Sequence, residues 1–61
     1  MAKERKAWQI MQRLKHGDGK WYLEKFMTGG RAYFSFSEAQ HDKNALKAMT
    51  SSFNYKVVRI Q

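Results

Sequence analysis

A chain of 61 residues holds one small domain, and at this size folding removes only about 60% of the unfolded surface from water. The absence of cysteine excludes a disulfide framework and a cysteine-based zinc site, while 43% hydrophobic and 15% aromatic residues exclude a disordered polar chain. Twelve Lys and Arg against five Asp and Glu give a net charge of +7, which favours polyanionic partners and says nothing about fold.

Residues 1–6 carry three cations and one acid, and read as a basic, flexible lead before a single domain over 7–61. Residues 7–15 fit two patterns. As a helix, Ala7, Ile10, Met11 and Leu14 fall at i, i+3, i+4 and i+7; as a strand, Trp8, Ile10 and Leu14 share a face. The Asp18-Gly19 pair, the sequence expected of a two-residue type I′ hairpin, tips the reading to strand and sets Leu14 opposite Leu23 and Arg13 opposite Glu24.

Residues 20–27 and 31–36 are aromatic-rich and bracket Thr28-Gly29-Gly30, which predicts a second hairpin pairing Phe26 with Tyr33 and Leu23 with Phe36. Ser35 to Glu38 and Ser37 to Gln40 both have capping-box spacing, so a helix is expected to start there. Its stripe of Ala39, Ala45, Leu46 and Met49, continued by Phe53 and broken by Asp42, ends near Thr50 to Ser52. Tyr55 to Ile60, with β-branched residues, reads as a closing strand. The expected class is α+β, a small antiparallel sheet of three to four strands on one helix in the order β-β-β-α-β. A helix over 2–16 would give α-β-β-α-β instead.

Strand alternation then sorts side chains into two faces. Trp8, Ile10, Leu14, Trp21, Leu23 and Phe34 are expected against the helix. Arg13, Lys15, Tyr22, Glu24, Phe26, Arg31 and Tyr33 are expected on an open face, joined by Tyr55, Val57 and Arg59. Rings that stack on bases beside cations that neutralise phosphates make a nucleic-acid platform, DNA or RNA, and the same cations suit a DNA groove. The expected binding residues are Arg13, Lys15, Lys20, Tyr22, Phe26, Arg31, Tyr33 and Arg59. The function that follows is a small nucleic-acid-binding accessory or regulatory protein.

The alternative is a modulator or inhibitor of a larger host enzyme or nucleic-acid machine, docked through the same face or an edge strand. An open aromatic face also suits a second copy of the chain, while Tyr and Lys on such a face equally serve cross-strand packing and solubility.

Signals for chemistry are weak. His16 and His41 have no second His or Cys at metal-ligand spacing, and the serines lack a nucleophile-elbow context. The glycines match neither phosphate-binding template. Asp18, Glu24, Glu38 and Asp42 read as turn, ion-pair and helix-start residues. No enzymatic activity, cofactor or metal is expected. With no apolar run near the roughly 18 residues of a membrane span and no apolar core after the basic start, the expected setting is cytoplasmic.

Overall fold

The computed structural model describes residues 5–61. They form β1 (Trp8–Leu14), β2 (Tyr22–Leu23), α1 (Phe36–Met49) and β3 (Phe53–Arg59), an α+β fold. The sheet order is β2-β1-β3 with both pairings antiparallel, so the first strand is the central one. Of the expected basic lead, residues 1–4 lie outside the described residues, and Arg5 and Lys6 are exposed.

Residues 8–14 are a strand and not a helix, because both edges of β1 find partners. Seven consecutive pairs run from Trp8↔Arg59 to Leu14↔Phe53. Alternation turns Ile10, only 1% exposed, toward α1, where it packs with Tyr33, Ala39 and Leu46. Burying an Ile, Leu or Tyr in this way stabilises the domain by about 1.5–3 kcal/mol per side chain before entropy is subtracted. Trp8, Tyr55 and Val57 pack around this cluster, which places them on the helix side.

The first connection departs from the expected hairpin. Met11 pairs with Leu23 and Gln12 with Tyr22, a register three residues from Leu14 opposite Leu23. A type I′ turn needs positive φ at both central residues. Among the described residues only Gly19, Gly29 and Gly30 adopt it, so Asp18 cannot fill that role. Asp18 instead pins a longer loop, its carboxylate accepting the Lys20 N–H at 2.9 Å and the Tyr22 hydroxyl at 2.7 Å. Because the shift is odd, every residue of the second segment changes face relative to β1. Trp21 and Leu23 therefore leave the helix side, and Glu24 enters it.

The Gly29-Gly30 turn forms as expected, with φ of +68° and +74° and the Arg31 N–H donating to the Thr28 carbonyl at 3.3 Å. The strands expected on either side of it do not form a ladder. Glu24, 1% exposed, folds its carboxylate over the following turn and accepts the backbone N–H groups of Phe26 (3.0 Å), Met27 (3.0 Å) and Thr28 (2.8 Å). The Thr28 hydroxyl returns a bond to the Glu24 carbonyl at 2.8 Å. The side chain thus takes donors that a strand would have needed. Tyr33 pairs with Trp8 by reciprocal bonds of 2.8 and 2.7 Å, a single bridge where a third strand was expected.

Ser35 caps α1, its Oγ accepting the Glu38 N–H at 3.4 Å, as the first of the two capping-box spacings predicts. The helix buries Ala39 and Leu46, whereas Ala45 and Met49 of the expected stripe are exposed. Asp42 is bound not at the helix start but by the Tyr33 hydroxyl at 2.7 Å. No helix among the described residues is long and apolar enough to cross a membrane.

Candidate nucleic-acid interface

Since Ile10 faces the helix, its neighbours Gln9, Met11 and Arg13 face away, and residues paired with them share that face. Leu23 opposite Met11, and Asn54, Lys56 and Val58 opposite Arg13, Met11 and Gln9, complete the open side. Trp21, two residues before Leu23, joins them. The Arg13 guanidinium lies 4.7 Å and the Lys56 ammonium 4.2 Å from its ring centroid. One indole from the β2 edge therefore gathers two cations from the central and the opposite strand, each attraction worth about 0.5–1 kcal/mol at an exposed site.

The second segment is held against this face by Gln9, whose amide donates to the Gly30 carbonyl at 3.0 Å. Leu23 lies under the same glycine, where a Cβ would come within 2.9 Å of its Cδ2.

Acidic groups lie elsewhere. Among the described residues, Glu24 is buried, Glu38 and Asp42 are on α1 and Asp18 is in the 15–21 loop. The open face thus carries Arg13 and Lys56 with no carboxylate of its own. Lys15 follows Arg13 on the same side, its backbone N–H extending the ladder to the Ser52 carbonyl at 3.0 Å.

The structure divides the expected binding residues among five places. Arg13 and Lys15 are on the open face, and exposed Lys20 is in the adjoining loop. Tyr22 and Arg59 pair with Gln12 and Trp8, which assigns both to the helix side, in correction of the expected face. Phe26, 94% exposed, projects from the Glu24 turn. Tyr33 is 1% exposed and belongs to the core, with Arg31 over its ring at 4.3 Å. Burial and the hydrogen bond to Asp42 push the Tyr33 hydroxyl up to about 12. Tyr55 and Val57, also expected on the open face, pack on the core.

Trp21 and Lys56 are the members of the cation–indole cluster that the sequence reading missed. A signal for Lys56 was present. Phe53, Tyr55 and Val57 alternate with Asn54 and Lys56, an apolar-in, polar-out pattern that places Lys56 outward. Nothing comparable marks Trp21, whose face depends on the loop register.

Two further concavities flank the core. Arg31, Tyr33, Ser37, Glu38, His41 and Asp42 line a cleft of about 440 Å³, in which Arg31 and Glu38 approach to 4.0 Å. An apolar groove of about 250 Å³ runs between Phe26, Met27, Met49 and Phe53, with Glu24 at its floor. No group of three metal-ligating side chains occurs among the described residues. Set beside known proteins, the chain matches no family model, no curated protein and no solved structure.

Proposed function

We propose that this is a small nucleic-acid-binding accessory or regulatory protein that attaches through the open face of its sheet. The observation that carries the reading is the convergence of Arg13 and Lys56 on Trp21, on a face without carboxylates among the described residues, in a chain of +7. The indole acts first as a rack for the two cations, holding them where phosphates would meet them. Arg13, held over the indole, is also a donor suited to guanine in a duplex groove. The role is binding without catalysis, and a cytoplasmic setting goes with it.

The reading is tested by titrating labelled single-stranded and duplex DNA and RNA at two salt concentrations. Sub-micromolar binding that persists near physiological salt and falls in an Arg13→Ala, Lys56→Ala double variant is the expected result. Equal binding by the folded double variant would remove the open face from the reading.

A further inference from the structure

The outer edge of β3 carries an inference that does not depend on nucleic acid. At the two ends of the β1–β3 ladder the Ile60 N–H donates to the Ala7 carbonyl at 2.8 Å and the Lys15 N–H to the Ser52 carbonyl at 3.0 Å. Antiparallel bonding alternates along a strand, so Asn54, Lys56 and Val58 direct their backbone groups to β1. The N–H and C=O groups of Phe53, Tyr55, Val57 and Arg59 then point outward. No strand lies beyond β3 among the described residues. The edge has no proline, and its register with β1 is unbroken. Such an edge is a template for another strand.

Charge selects the occupant. On α1, Asp42, Ala45 and Met49 line a groove beside Met27 and Thr28, and Leu46 is buried. At 100° per residue, Lys43 and Lys47 then lie on the opposite flank, toward β3. Arg59 is on the helix side of the same edge. That side of the edge thus carries cations, while Glu38 and Asp42 belong to the other flank of the helix.

We infer that the outer edge of β3 receives an extended acidic segment of a partner protein as a fourth strand. Backbone bonds to Tyr55 and Val57 provide attachment, and Lys43, Lys47 and Arg59 select carboxylates. The positive charge also disfavours a second copy in that place.

The probe is an acetylated, amidated peptide of about seven residues alternating glutamate and valine, matched in length to β3. Amide exchange in the intact protein is the first readout. Peptide should slow the Tyr55 and Val57 amides about tenfold or more, leaving the already bonded Lys56 and Val58 amides unchanged. Fluorescence anisotropy is the second, with saturable binding that weakens about tenfold when alternate peptide amides are N-methylated. Val57→Pro should abolish binding by removing an outward N–H, and it also trims the packing of Val57 on the core. The N-methylated peptide keeps the test open if the variant does not fold.

Equal binding of the methylated peptide would reduce the interaction to charge alone and overturn the proposal. A sedimenting dimer whose Tyr55 and Val57 amides are protected without peptide would overturn it in favour of a second copy. Loss of nucleic-acid binding in the open-face variants would leave these readouts unmoved.

Discussion

The Tyr33 hydroxyl donates to the Asp42 carboxylate at 2.7 Å, joining the segment that bridges to β1 with the second turn of α1. It is the polar fastening of an otherwise apolar interface between Ile10, Ala39 and Leu46. Tyr33→Phe should keep the ring packing and lose the bond, lowering stability by about 1–2 kcal/mol in urea unfolding. Burial, then the bond to Asp42 and its charge, raise the hydroxyl from 10.0 to about 12. A raised value stabilises the neutral form, so this contribution is complete below pH 10 and is lost as pH climbs toward 12. The Phe variant has no hydroxyl to titrate, so the stability gap to wild type should close as pH climbs from 10 toward 12 in alkaline unfolding.

Glu24 predicts the opposite response to acid. Its burial raises the carboxyl, but the N–H groups of Met27, Thr28 and Phe26 and the Thr28 hydroxyl outweigh this and hold it below the ordinary 4.5. The charged form is therefore the stabilising one, with its effect present above about pH 4.5 and lost as pH falls through the lower folded value. Glu24→Gln, with one good acceptor in place of two, should cost about 1.5–3 kcal/mol at pH 7, and the gap to wild type should narrow near pH 3 in thermal melts.

Arg13→Ala and Lys56→Ala should each lower the slope of log affinity against log salt for duplex DNA by about 0.9. Lys43→Ala, on the helix, should leave that slope unchanged. Anisotropy titrations across a salt series check both statements.

Phe26 is 94% exposed despite its size. Phe26→Ser should change stability by no more than about 0.5 kcal/mol, because little apolar surface is lost from the core. Solubility should rise, as measured by concentration at onset of light scattering.

Gly29 and Gly30 should separate on substitution by alanine. Both have positive φ, but a Cβ at Gly29 meets nothing within 4 Å, while one at Gly30 comes within 2.9 Å of Leu23 Cδ2. Gly29→Ala should cost about 1 kcal/mol for the left-handed backbone and Gly30→Ala more, compared by urea unfolding.

The division between what could and could not be read from the sequence follows sequence distance. Local chemistry was legible: Ser35 caps the helix, Gly29-Gly30 make their turn, and the class is α+β. The strand reading of residues 8–14 also holds, although the Asp18-Gly19 turn that argued for it forms a longer loop. Faces were less legible, since an odd shift at one loop exchanges Trp21 with Glu24 and thereby relocates the basic aromatic site. The capture of three backbone donors by Glu24 is a side-chain event without periodicity. It removed the expected third strand and sent Tyr33 into the core.

The central position of β1 also dictates the order in which the domain can assemble. The strand made first has its full-length partner in the last element of the fold, and the ladder between them is the most extensive in the sheet. During synthesis β1 must wait, unpaired along that edge, until β3 has emerged, so the sheet closes only after nearly the whole domain has left the ribosome. For that interval the edge of β1, rather than that of β3, is the surface open to mispairing.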